Sequence, residues 1–496
     1  MFDWIKKIQK LNEDVTEYQK TSDIPSMPSV AIINRTKKLI NEGKLDEAKT
    51  VLDKAFSLAK EDSLAYKYLG IIYDGKKMYK DAIDAYQKSA DLNSEDKDIW
   101  RFLGTAFLNI GDYERAEKSF ENANKITPLN TDIFTGWGMA YMKQKNYTEA
   151  REKFINAIKI NRYNFSALFF SAMCESRLGM LDMAEAKLKF LTSVKSNDIN
   201  CYEYANIKFL KGNLADAEFW AKKSIEFNSK IVPAYTLLIK IFGLKHDLGK
   251  IQEYFEQGVK NGLEGDNLNE NYGIALLNCA KFKDAKYFLL QAYGNNLNSE
   301  TITEALLTIN TAIGDDGNLP FLKDKLIKLN PENRILKAIL AIDEAENSNL
   351  QNGINELKKC IDNLPYKFVF MQKLAKLYIS DGNFDKASEY FENSINENLI
   401  YIECYLAYAK FLEERNELAQ AQRKLRKGLK YIENDTQLLN LLFHISYLLV
   451  KDNVCEYNIK EAIGIAGKIT NPDLFEYKDE LNELTEMLEK VERDKN

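Results

Sequence analysis

Proline, glycine and histidine are scarce in this chain. It holds 8 prolines and 23 glycines in 496 residues, well under the usual ~5% and ~7%. That excludes a collagen-like repeat, a many-turned β sandwich and a loop-rich chain. Only two histidines occur, His246 and His444, and they do not sit at ligand spacing. The commonest general base and the commonest metal ligand are removed together. The six cysteines, Cys174, Cys201, Cys279, Cys360, Cys404 and Cys455, stand singly with no CxxC pair, so neither a zinc knuckle nor a redox motif is present. Free, mostly buried thiols in a reducing compartment are expected. No uncharged apolar run reaches the ~18 residues that a membrane span needs. Charges interrupt the first twenty residues, so no secretory signal is read there, and a cytoplasmic setting is expected. The net charge of −6 lacks the basic footprint of a general nucleic-acid binder.

Catalytic signatures are missing too. No GxxxxGK[ST], HExxH, GxSxG or kinase HRD set occurs, so no enzymatic activity, cofactor or metal is expected. The glycines of Gly136-Trp137-Gly138 lack the third glycine and preceding strand of a dinucleotide fingerprint. What the chain has in abundance is aromatic: 4 Trp, 27 Tyr and 26 Phe. That is too many for disorder and enough for a large helical core.

The organising feature is a period of 34. Asn109 to Pro128 aligns with Lys143 to Arg162 at that offset, pairing Tyr113 with Tyr147, Ala116 with Ala150, Phe120 with Phe154 and Ala123 with Ala157. Small residues continue the register at Ala48, Ala82, Ala116, Ala150 and Ala184. After one deletion it resumes through Ala217, Ile251, Ala285, Leu319, Gly353, Ala387 and Ala421. A period of this size held over most of a chain means a stacked solenoid. Within one period, Trp100, Leu103 and Phe107 fall on one face of a first helix. Gly111 can take a positive φ to end that helix, and Asp112 can accept from the first amides of the next. The second helix presents Ala116, Phe120 and Ala123. Gly104 and Ala116 are expected to face each other where the two helices cross.

Trp100, Leu103, Gly104, Phe107, Ala116, Phe120, Ala123 and Pro128 resemble the consensus of the tetratricopeptide repeat (TPR) family. The resemblance is closest in units starting at Ser63, Lys97 and Thr131. Further starts fall at Ser29, Phe165, Asp198, Val232, Asp266, Glu300, Arg334, Phe368, Ile402 and Thr436, the last degenerate. It implies an all-α TPR solenoid, a right-handed superhelix of antiparallel helix pairs, with helix content well above ~60% against ~30–35% for an average domain. The expected organisation is an amphipathic helix over 1–20 with Trp4, Ile8, Leu11, Val15 and Tyr18 in a heptad-like stripe, then a linker over 21–28. An N-terminal array follows over 29–299 and a degenerate repeat over 300–333, whose GDDGNLP turn marks an expected hinge. A C-terminal array over 334–470 has a lengthened last hairpin, and a capping helix covers 471–496. Residues 1–20 are read first as capping or local packing, with docking or self-association as alternatives; a membrane-surface role is disfavoured, since Lys6, Lys7, Lys10 and Lys20 are balanced by Asp3, Glu13, Asp14 and Glu17.

The resemblance also implies function: a non-catalytic scaffold that holds a partner protein or peptide on the concave face. There the first helices present positions 2, 5, 9 and 12 of each unit. Carried onto this sequence, the candidate site is Thr135, Met139, Met142, Phe169, Met173, Tyr202, Asn206 and Phe209, with Arg101, Lys143 and Arg177 on the rim. Flexible thioethers and rigid rings suit an adaptable peptide groove. The carboxylate clamp that some TPR proteins use is not assembled, since Tyr202, Leu238 and Leu306 stand where its polar residues are needed. An alternative is an accessory subunit of an enzyme or secretion complex. An RNA-binding helical repeat is disfavoured by Glu270, Glu304, Glu403 and Glu413 on the same face. The basic run Arg423, Lys424, Arg426, Lys427 and Lys430 lies on a second helix and is read as a soluble face.

Overall fold

The computed structural model describes residues 27–58, 62–263, 265–315 and 317–493. The stripe expected over 1–20 and nearly all of the linker after it lie outside them. The chain is 79% helical, and among the described residues there are 27 α-helices and no strand. The helices form successive hairpins in the expected register. First helices begin at Ser63, Thr131, Phe165, Asp198, Val232, Asp266, Glu300, Arg334, Ile402 and Thr436 as the repeat placed them, and at Met27, Ile99 and Lys367 within two residues of expectation. The fold is an all-α solenoid. Within residues 27–210 and again within 232–466, each first helix packs on its own second helix, and that second helix packs on the next first helix. A hairpin alone leaves an apolar face open, and its neighbour closes it.

The turn inside each hairpin explains the period. A residue with positive φ recurs at Gly43, Lys77, Gly111, Lys145, Gly179, Gly212, His246, Ala280, Gly314, Gly382 and Asn416. At Gly111 φ is 82°, ending helix Ile99–Ile110, and the Asp112 carboxylate accepts from the Arg115 amide at 3.1 Å to start helix Tyr113–Ile126. Left-handed backbone costs about 1–2 kcal/mol for a residue with a Cβ. Lys145, at φ 61° and exposed, bears that cost. Lys145→Gly is therefore expected to stabilise the chain by about 0.5–1 kcal/mol, and Gly111→Ala to destabilise it by a similar amount. Urea unfolding of the two variants reads both signs.

Helix crossings differ from expectation in one respect. A Cβ on Gly104 would meet the ring of Phe120 at 3.0 Å, so it is Phe120, not Ala116, that Gly104 admits. On the next first helix a Cβ on Gly136 would also meet that ring, only 2.7 Å from Cζ, and Gly138 admits the ring of Phe154 from its own hairpin. The glycines are notches for second-helix rings rather than partners of small residues.

The chain divides into two compact units, residues 1–223 and 224–496. The division does not fall at the degenerate repeat, which lies wholly within the second unit. There the Asn398 side chain donates to the Asn278 carbonyl at 2.9 Å across 120 residues. The Phe282 and Tyr401 rings meet edge-to-face at 5.7 Å. Tyr401 is fully buried, lies edge-on to Phe368 at 5.0 Å, and donates its hydroxyl to Gln372. This clasp joins the repeats on either side of 300–333, and within that span Asn330 and Asn333 donate to Glu300 at 2.7 and 2.8 Å. We propose that these contacts brace the span where a hinge is expected. Amides of 300–329 are expected to exchange as slowly as those of 97–160, and Asn398→Ala is expected to speed them selectively. Faster exchange in the unaltered chain would restore the hinge.

At the C-terminal end, helix Thr436–Asp452 has 17 residues, longer than the other first helices. Phe475 stacks edge-on to Phe443 at 5.0 Å. Helix Lys478–Arg493 then buries Leu484 completely while keeping an acidic outer side. It packs on both helices of the last hairpin.

Candidate functional site

All of the candidate residues fall in the first unit, on the consecutive first helices Ile99–Ile110, Thr131–Lys143, Phe165–Arg177 and Asp198–Leu210. The first three of these touch in sequence. Their outward positions are apolar and half-buried: Met139, Met142, Phe169, Met173, Tyr202 and Phe209 all keep part of their surface exposed. Met139 and Met142 pack onto the cluster of Phe154 and Ala157. Phe169 packs onto the cluster that joins Leu168 and Ala172 to Tyr204 and Ile207, and its ring meets Phe170 edge-on at 5.4 Å. Met139, Met142 and Phe169 thus pack on the inter-repeat core while keeping part of their surface exposed.

The polar candidates divide. Lys143 and Arg177 are exposed at the C-terminal ends of their helices, where a cation is favoured by the helix dipole. Arg101 is not on the rim. It is 6% exposed, with Nη2 2.8 Å from Asp98 Oδ1 and its guanidinium 4.5 Å above the Phe102 ring. An arginine in that setting is a packed structural element, because a buried guanidinium needs its carboxylate partner. Thr135 spends its hydroxyl locally, donating to the Thr131 carbonyl at 2.7 Å and accepting from Asn164 at 3.3 Å. Asn206 is half-buried.

Two residues of this surface escaped the sequence rule that took positions 2, 5, 9 and 12. Phe170 stacks on Phe154 at 5.6 Å. Glu203, beside Tyr202, is half-buried. Burial pushes its carboxyl up to about 7, against which Arg177 pulls it down. Burial likewise raises the Tyr202 hydroxyl, with Glu203 adding to the rise and Arg177 opposing it. A carboxyl whose folded value lies above its unfolded one favours folding when protonated, and its ionisation weighs against the fold as pH climbs from about 4.5 through 7. Glu203→Gln is therefore expected to match the parent chain in thermal stability near pH 4 and exceed it near pH 8. Equal stability at both would show that Glu203 is well solvated.

Other features carry structure rather than chemistry. All six cysteines are free, and Cys174, Cys201, Cys279 and Cys404 are buried; burial pushes Cys174 up to about 11 and Cys279 and Cys404 to about 12, which leaves these thiols protonated and unreactive. In the basic run, Lys424 pairs with Glu392, Arg426 with Glu461 and Lys427 with Asn396. No group of side chains that could hold a metal ion occurs among the described residues, nor any helix long and apolar enough to cross a membrane.

Two segments match models of the tetratricopeptide repeat, residues 77–131 and 370–398. Together with a described chain built from helical hairpins at this period, they decide the family. The chain is a tetratricopeptide-repeat protein. No curated protein matches it in sequence. Among solved structures, this TPR protein is similar to a chain of the APC/C hetero-tetramer Cut9–Hcn1, at 12% identity over 96% of this chain and 98% of that one, with a TM-score of 0.51. It also matches PilF of Pseudomonas aeruginosa at 17% identity over 42% and 95%, with a TM-score of 0.38. A third match is YrrB, described as a TPR protein with an unusual peptide-binding site, at 23% identity over 37% and 95%, with a TM-score of 0.33. At these identities the likeness concerns the fold. An array of TPR hairpins is a scaffold for contacts between proteins, and nothing in its packing positions supplies chemistry.

Proposed function

We propose that this TPR protein is a non-catalytic interaction scaffold whose first unit holds a partner segment along the first helices from Thr131 to Leu210. One observation carries the reading. Met139, Met142, Phe169, Met173, Tyr202 and Phe209 are partly exposed apolar side chains on the first helices of three consecutive repeats, the first three packed on the core beneath, with the exposed cations Lys143 and Arg177 on the same helices. Adaptable thioethers beside rigid rings suit a segment that buries two or three apolar residues. The first helices of the second unit offer less. Around the clasp, Glu304 accepts from Asn333, and Tyr401 is packed inside. The six free thiols are in keeping with a reducing, cytoplasmic setting. The partner is a protein or peptide, and no residue is assigned a catalytic role. The test is capture from the native host with the full chain, compared with Phe169→Ala/Tyr202→Ala, and identification by mass spectrometry. A partner retained equally by both would place its site elsewhere.

A further inference from the structure

Several buried and half-buried carboxylates in the first unit are supplied with cations. Glu175 is fully buried and holds Arg151 at 2.9 Å and Lys187 at 2.7 Å. Glu185 holds Lys208 at 2.8 Å and Lys211 at 2.5 Å. Asp98 holds Arg101, and Asp96 holds Lys67 at 3.0 Å. Glu203 is not: it makes no hydrogen bond or ion pair with any described residue. Arg177, at the end of the preceding first helix, acts on it only through space, and is itself exposed and without an ion pair. Glu203 directly follows Tyr202 on helix Asp198–Leu210, within electrostatic reach of Arg177 on the first helix of the preceding repeat. A carboxylate partly removed from water and left without a partner is costly. Such a group within a concave apolar surface is characteristic of a site completed by something else.

We propose that Glu203 recognises a lysine or arginine of the partner segment, so that the groove takes a cation flanked by apolar anchors. This rests on the groove reading above. An ammonium or guanidinium entering beside Tyr202 would supply the countercharge that the chain withholds, and would do so in a partly desolvated place where charge-assisted hydrogen bonds are strong. The exposed Lys143 and Arg177 point to the opposite chemistry at the rim, where an acidic residue of the segment would be screened by water. The recognised pattern is thus a basic residue at the floor, with acidic residues tolerated only outside it.

A displayed library of random dodecapeptides, selected near pH 7.5 on the full-length chain, tests this. The expected recovery is peptides with Lys or Arg set between apolar residues. A synthetic member should bind Glu203→Gln at least tenfold more weakly, and its basic-to-glutamine version should bind the parent and Glu203→Gln alike. Recovered peptides with Asp or Glu at that place, or purely apolar ones indifferent to Glu203→Gln, would overturn the inference and leave the groove standing. Peptides that bind Phe169→Ala/Tyr202→Ala as well as the parent would instead overturn the groove itself. Failure to enrich any peptide on the parent chain would overturn both. Circular dichroism of each variant confirms that the helical array persists.

Discussion

Phe169→Ala with Tyr202→Ala is expected to weaken partner binding roughly a hundredfold or more. Each ring loses on the order of 1–3 kcal/mol of burial at the centre of an interface when shortened, and about 1.4 kcal/mol corresponds to a decade in affinity. The fold should survive, because both rings are half-open, whereas the packing residues Trp137, Gly138 and Phe154 are untouched. A suitable control removes exposed apolar surface from second helices. Met183 and Phe219 are 47% and 54% exposed, and shortening them should leave affinity within about twofold, the range of a peripheral contact. Reversing Glu403 or Glu413, by contrast, is not a neutral control. Glu403 lies at the clasp, where its backbone carbonyl accepts from Gln372, and Glu413 bonds His444 at 3.1 Å. A double variant that binds normally would move the groove elsewhere; one that unfolds would assign both rings to the inter-repeat core.

The second large effect is on stability. Phe120→Ala is expected to cost about 3–5 kcal/mol, the range for a fully enclosed phenylalanine. Its ring is fully buried and fills notches made by Gly104 in its own hairpin and Gly136 in the next. Removing it opens a cavity at two interfaces of a one-dimensional stack, so damage should spread along the neighbouring hairpins. Hydrogen exchange should show lost protection concentrated over 97–160, with 334–414 little changed. A loss below about 1 kcal/mol would mean that the glycine notches close without strain, and that the ring does not tie the two hairpins together.

These residues also show how far the sequence could be read. The helix starts were legible because the period is enforced locally: most hairpin turns take a positive φ one period after the last, and glycine or a tolerated residue marks it. The crossing geometry was legible only in part. Gly104 and Ala116 are both small and both conform to the repeat, but pattern alone does not say that Gly104 faces Phe120. Arg101 fell at an outward register position and was read as exposed; only its neighbour Asp98, three residues back, signals that it is paired and buried. Glu203 was missed because it sits one place beyond the outward positions chosen. Its signal is negative, the absence of a cation at bonding distance, which needs coordinates. The clasp was not legible at all. A contact between residues 278 and 398 depends on small rotations accumulated over several repeats, and no local pattern encodes that sum.

The central claim is that the inner face of the first unit binds, and methionine methyl resonances report on it directly. The chain has ten methionines. Met139, Met142 and Met173 lie in the proposed groove, while Met78, Met180 and Met183 are 43%, 41% and 47% exposed outside it. With methyl-labelled full-length chain and a peptide selected as above, the first three resonances should shift or broaden at saturation while the last three stay in place. Shifts confined to Met78, Met180 and Met183, with Met139, Met142 and Met173 unmoved, would contradict the account.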